Sequence, residues 1–149
     1  MGRSVLLRFL GEGYSGIKKN NKAIMVLQRA VRYNPHDAHS LSLLGELYSI
    51  ERQGDDIALS LCRQAVEIDG RYWKHWYRLA VIQYKLGQTD AALESVQECL
   101  QRDRKCVDAL QLAAQIYEKS GMRPKSIRMY KKILKLIPDH KAAAAAVKQ

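Results

Sequence analysis

The sequence predicts an all-α protein, a solenoid of four stacked helix-turn-helix units. Three observations carry that prediction: a residue pattern that returns every 34 or 35 positions, apolar residues at i, i+3, i+4 and i+7 within each copy, and turn-forming Gly or Pro between the apolar stretches. Composition agrees. Ala, Leu, Lys, Arg and Gln, which lose little rotamer freedom in a helix, abound, and aromatic residues make up 7% of the chain. With 47% apolar residues among 149, the chain can bury a continuous core of one ordinary domain.

Alignment on Pro35 and Pro138 sets the register. Unit one (4–37) carries Leu7, Leu10, Gly11, Tyr14, Ala23, Leu27 and Ala30 before its proline. Unit four (107–140) carries Leu110, Ala113, Ala114, Tyr117, Gly121, Ser126, Tyr130 and Ile133. Unit two (38–72) runs through the same places with Leu41, Leu44, Gly45, Tyr48, Gly54, Ala58, Cys62 and Ala65, and unit three (73–106) with Trp76, Leu79, Ala80, Gly87, Ala92, Val96 and Cys99. The extra residue of unit two falls in the turn Glu51-Arg52-Gln53-Gly54-Asp55, where insertion is cheap. In that unit the first helix is expected to bury Leu41, Leu44, Leu47 and Tyr48, and the second Ile57, Leu61, Ala65 and Ile68. Gly54, Gly87 and Gly121 suit the left-handed residue that ends a first helix. Asp55 and Asp90 stand where a short acceptor caps a second helix, and Pro124 where a missing N–H is harmless. Residues 141–149, with alanine at every position from 142 to 146, predict a short ninth helix, either a cap on unit four or the start of a further repeat.

The pattern resembles the tetratricopeptide repeat: a large apolar residue, Leu-Gly, Tyr, a turn Gly, a small Ala, a large apolar residue, Ala and a closing Pro. It covers residues 4–140. Unit three departs from it at Gln83, in the Tyr place, and at Arg104, in the place of the Pro. The resemblance implies a right-handed superhelix with no catalytic activity and no cofactor, whose first helices line a concave groove for a partner peptide or protein segment. Carried onto this chain, the groove positions are Arg8, Phe9 and Glu12, then His39, Ser42, Leu43 and Glu46, then Lys74, Tyr77, Arg78 and Val81, then Asp108, Gln111, Leu112 and Gln115. Lys74 and Arg78, four apart on one helix face, take the places of the cationic pair with which carboxylate-clamp co-chaperones grip acidic C-termini. Arg8 replaces a Lys of that set, and Glu12 and Leu43 stand where it has two Asn. The partner expected is another protein or peptide, and an acidic segment is the form that suits the cationic pair. Exposed charges add little to folding, so removing Lys74 and Arg78 together is expected to weaken binding and leave melting nearly unchanged.

The formal charge of +10 is uneven, with +4, −3, +2 and +4 in units one to four. Lys125, Arg128, Lys132 and Lys135 recur on one face of the second helix of unit four. A solvated stripe is the expected reading there; contact with nucleic acid or another polyanion is the alternative, and self-assembly through the ends of the array is a further one. No nucleophile–base, metal or phosphate-loop motif is present. The run from Gly11 to Gly16 follows no strand and precedes no Lys-Ser or Lys-Thr, and His36 and His39 flank a turn with no local carboxylate or cysteine cluster. No catalytic residue, metal site or cofactor is expected. Cys62 and Cys99 fall on packed positions, whereas Cys106 falls on a unit boundary that leaves room for exposure. Three cysteines without CxxC spacing point to a reducing compartment, taken as the cytoplasm. No run reaches the roughly 18 apolar residues of a membrane span. The stretch Val5–Leu10 is broken by Arg8 and lacks a cleavage site, so no signal peptide is expected.

Overall fold

A computed structural model describes residues 2–149. They form nine α-helices and no strand: α1 (Arg3–Gly16), α2 (Asn20–Tyr33), α3 (Ala38–Ile50), α4 (Asp55–Ile68), α5 (Trp73–Lys85), α6 (Thr89–Arg102), α7 (Val107–Lys119), α8 (Arg123–Leu136) and α9 (Lys141–Lys148). The chain is an all-α helical-repeat superhelix. Four hairpins, α1–α2, α3–α4, α5–α6 and α7–α8, stack in order, and α9 lies against α8. Each first helix also touches the next first helix, while no second helix approaches the next second helix. The first helices therefore crowd along one side of the stack and the second helices fan apart on the other.

Small and medium apolar residues recurring in the second helices make that stacking possible. Ala23, Leu27 and Ala30 of α2 are buried, as are Ala58, Cys62 and Ala65 of α4, Ala92, Val96 and Cys99 of α6, and Ser126, Tyr130 and Ile133 of α8. Gly45 is small because Cys62 and the carbonyl of Ala58 face it closely. The face of α4 differs from its expected one: Ile57 and Ile68 lie exposed, and Ala58, Leu59, Cys62 and Ala65 are buried instead. Ala58 and Cys62 win where α3 comes close to α4 at Gly45, and Leu59 turns to the α5 side, against Leu79 and Ile82. Trp76 is half-buried and donates its indole N–H to the Gly70 carbonyl at 2.9 Å. Cys106 is buried with Cys62 and Cys99, which corrects the expectation of exposure. Burial pushes the Cys62 and Cys99 thiols up to about 12, which leaves both as inert packing groups.

All four hairpin turns close the same way. The amides of Lys19, Gln53, Gln88 and Met122 donate to the carbonyls of Tyr14, Tyr48, Gln83 and Tyr117 at 2.8–2.9 Å, with a left-handed residue just before each donor. That residue is Lys18, Arg52, Gly87 or Gly121. In the second hairpin the inserted residue moves the glycine downstream. Arg52 takes the left-handed turn at φ 55°, and Gly54 becomes the N-cap of α4 at φ 124°. Asp55 and Asp90 cap nothing through their side chains; both sit inside the first turn, where they complement the helix dipole. Asp37 and His140 are the side chains that accept from a first-turn amide, at the starts of α3 and α9. Pro124 occupies the first turn of α8.

Candidate partner-binding groove

The crowded first helices give the stack an inner face. Between α1, α3 and α5 this face opens into a cleft of about 410 Å³ lined by Glu12, Ser15, Gly16, His39, Leu43, Tyr72, Lys74 and Arg78. A smaller cleft of about 130 Å³ lies next to it, between α3 and α5, and includes Glu46, Tyr77, Val81 and Lys85. Five of the expected groove residues, Glu12, His39, Leu43, Lys74 and Arg78, thus meet in one place. Gln111 and Gln115, on α7, line neither cleft. Phe9 is half-exposed beneath the Arg8 guanidinium, 5.2 Å from its ring centre. Tyr77 is half-buried, and burial, helped by Asp108, pushes its phenol up to about 12, so it stays a neutral hydroxyl.

The cations of the groove are unequal. Arg8 Nη1 lies 3.1 Å from Oδ1 of buried Asp37, whose carboxylate also accepts from the Ser40 amide and hydroxyl; Arg8 ties α1 to the start of α3. Arg78 Nε lies 2.5 Å from Glu46 Oε2, and its Nη1 donates to Ser42 Oγ at 3.0 Å. Its side chain is only 11% exposed. Lys74, by contrast, forms no ion pair among the described residues. Arg78 therefore holds α5 to α3. Its truncation is expected to cost about 1–2 kcal/mol of stability, from two hydrogen bonds of a nearly buried charge, so the Lys74/Arg78 pair is not neutral to folding. Lys125, Arg128, Lys132 and Lys135 all lie exposed on α8, none of them lining the two clefts of the first helices, and Lys132 lines a separate cleft of about 780 Å³ between α6, α7 and α8. Lys125 sits 5.7 Å from the ring centre of half-buried Tyr117.

A second cluster escapes a linear reading. His39 at the start of α3, Asp69 at the end of α4 and His75 at the start of α5 place one ligand-type atom each within 4.8 Å of one another. His75 is fully buried, and neither ring nitrogen has a hydrogen-bond partner. Burial, reinforced by His39 and Arg78 and opposed by Asp69 and Asp37, lowers its pKa to about 4, so the imidazole is neutral at physiological pH. The residues lie 30 and 6 positions apart, beyond any local motif. The repeat does hold a signal: the places equivalent to His75 in units two and four are Ser40 and Ala109, both fully buried. A histidine there is out of keeping with packing alone.

Comparison with known proteins places this architecture in a class. Residues 61–94 and 86–149 each match a family model described as tetratricopeptide repeat, and the chain belongs to the tetratricopeptide repeat family. Protein bimA of Emericella nidulans is 29% identical over 83 residues, which are 56% of this chain and 10% of that protein. Anaphase-promoting complex subunit 3 of Schizosaccharomyces pombe is 23% identical over 140 residues, 94% of this chain and 21% of that one. The chain thus spans about a fifth or less of the length of these curated relatives. The solved structure of MamA protein shares the fold, with a TM-score of 0.84 at 19% identity over 99% of this chain and 80% of that chain. Tetratricopeptide repeat proteins are in general scaffolds for other proteins, and no described helix is long and apolar enough to cross a membrane.

Proposed function

We propose that the chain is a non-catalytic scaffold that holds a partner's protein segment in the cleft between α1, α3 and α5, with an acidic group of that segment against Lys74. One observation carries this reading. Lys74 lines a cleft of about 410 Å³ and forms no ion pair among the described residues, while its neighbour Arg78 is already bound to Glu46. A cation that the fold leaves unpaired in a concave site gives orientation and specificity to an incoming acid. Tyr77 and Leu43 add apolar area beside it. Membership of Anaphase-promoting complex subunit 3 in a complex, as its name states, is in keeping with protein partners. The three free cysteines suit a reducing cytoplasm, where we place the protein. We read the α8 cations as a solvated face and rank nucleic acid below protein as a partner.

Affinity purification with the intact chain as bait tests the groove. Lys74→Glu is expected to lose at least about tenfold of the recovered partner, with melting shifted by less than about 1 kcal/mol because the side chain is unpaired. Lys132→Glu, outside the groove, is expected to retain it. Equal recovery by the Lys74→Glu bait and the parent sinks the groove reading.

A further inference from the structure

We infer that His39, Asp69 and His75 form a binding site for a divalent transition-metal ion, Zn²⁺ in the first instance. The three come from consecutive elements, and their ligand atoms already lie within 4.8 Å of one another. A four-coordinate zinc site spaces its donors by about 3.4 Å, given metal–ligand bonds of about 2.0–2.2 Å. Closing the gap takes up about 1.4 Å of separation at most, and His39 and Asp69, both only partly buried, can share it between their side chains.

The donor chemistry agrees. Two imidazoles and a carboxylate suit zinc and its first-row neighbours better than magnesium or calcium, which favour all-oxygen sites. His75 has no exposure and no partner at either nitrogen, and a bound cation supplies one. Asp69 is held from outside: its Oδ1 accepts from the Arg71 amide at 3.2 Å and lies 3.4 Å from the Arg71 Nε. The other carboxylate oxygen has no hydrogen bond among the described residues, which leaves it available as a ligand atom. The Tyr72 ring packs against both imidazoles, with centroids 4.9–5.0 Å away, and fixes where they sit. Three protein ligands leave at least one coordination position for water.

The competing account is that the two histidines and Tyr72 simply pack as rings. Chelator-stripped protein titrated with ZnCl₂ by calorimetry, and with Co²⁺ by visible absorption, separates the two. We expect one equivalent of Zn²⁺ per chain, d–d bands from bound Co²⁺, and a higher melting temperature with zinc present. His39→Ala and Asp69→Asn should each weaken zinc binding about a hundredfold, as loss of one of three ligands requires. His75→Ser, which installs the residue found at the equivalent place in unit two, should do the same. His36→Ala, three residues before His39, should leave binding unchanged. Absence of stoichiometric zinc binding overturns the assignment. So does affinity that survives both His39→Ala and Asp69→Asn, and that pair decides the matter even if the His75 variant does not fold.

Discussion

α1 and α3 hold equivalent places in consecutive repeats, yet they are buried very differently. α3 buries nine of its residues, including Leu41, Leu43, Leu44 and Leu47, whereas α1 buries only Ser4 and Gly11. Phe9 and Leu10 are 52% and 47% exposed; their counterparts Leu43 and Leu44 are 7% and 4% exposed. The two helices carry the same apolar spacing, so the difference lies in their neighbours. α3 packs against α1, α2, α4 and α5, while α1 has α2 on one side and the edge of α3 on another. A repeat marks which face can be buried, and stacking decides how much of it is.

The largest expected effect measures that difference directly. Leu44→Ala should cost about 2–5 kcal/mol, the range for a buried leucine whose cavity cannot collapse. Leu10→Ala, at the equivalent place, should cost less than about 1 kcal/mol, because half of the side chain already faces water. Urea unfolding with an unchanged m-value checks both. Equal losses would break the comparison.

Glycine sharpens it at the next level down. A Cβ at Gly45 would lie 2.7 Å from Cys62 Sγ and 3.0 Å from the Ala58 carbonyl oxygen, an atom fixed in the backbone of α4. A Cβ at Gly11 would meet only the Leu27 side chain, at 2.6 Å from its Cγ, and α1, which packs on α2 and only the edge of α3, can shift as a body. Gly45→Ala is expected to lose about 1–3 kcal/mol, and Gly11→Ala less. Ala80 and Ala114 occupy the same place in the third and fourth hairpins and are fully buried, so the fold accepts a methyl there in two of its copies. Cys62→Ala should therefore recover part of the Gly45→Ala loss in a double-mutant cycle. No recovery would mean that the Ala58 carbonyl alone sets the limit.

Much of the fold was legible because the repeat supplies four readings of each place. The buried triplets of the second helices, the turn glycines at 87 and 121 and the short ninth helix all follow from period and residue size. Features unique to one copy were not legible. Ile57 and Ile68 satisfy helical spacing, but the close approach of α3 to α4 at Gly45 puts Ala58 and Cys62 inside, and distance between helices is not written in one helix. The left-handed Arg52 follows from where the inserted residue of the second turn is absorbed. At the site, spacing brings Lys74 and Arg78 to one face. It says nothing of the Glu46 carboxylate that engages Arg78, or of the Asp37 that engages Arg8, each supplied by another helix. The His39, Asp69 and His75 cluster is likewise a product of stacking.

The outer face of α8 carries the comparison over to charge and yields the smallest expected effect. Arg78 is nearly buried and bound on two sides, whereas Lys125, Arg128, Lys132 and Lys135 face water. Replacing all four with Gln should change stability by no more than about 0.5 kcal/mol, since four like charges on one face repel weakly and salt screens them. The same variant tests the polyanion reading. Phosphate contacts give a log–log salt slope of about −0.7 per neutralised phosphate on single strands, so a real RNA site should lose that slope with its four cations. Tight single-strand binding also draws on aromatic faces on which bases stack, and Tyr117, the ring that Lys125 lies over, is half-buried. We expect binding to single-stranded RNA that is weak, indifferent to sequence and gone by physiological salt, as the net charge of +10 alone produces. Tight binding at physiological salt that disappears in the quadruple variant would move the functional surface from the inner face of the stack to its outer one.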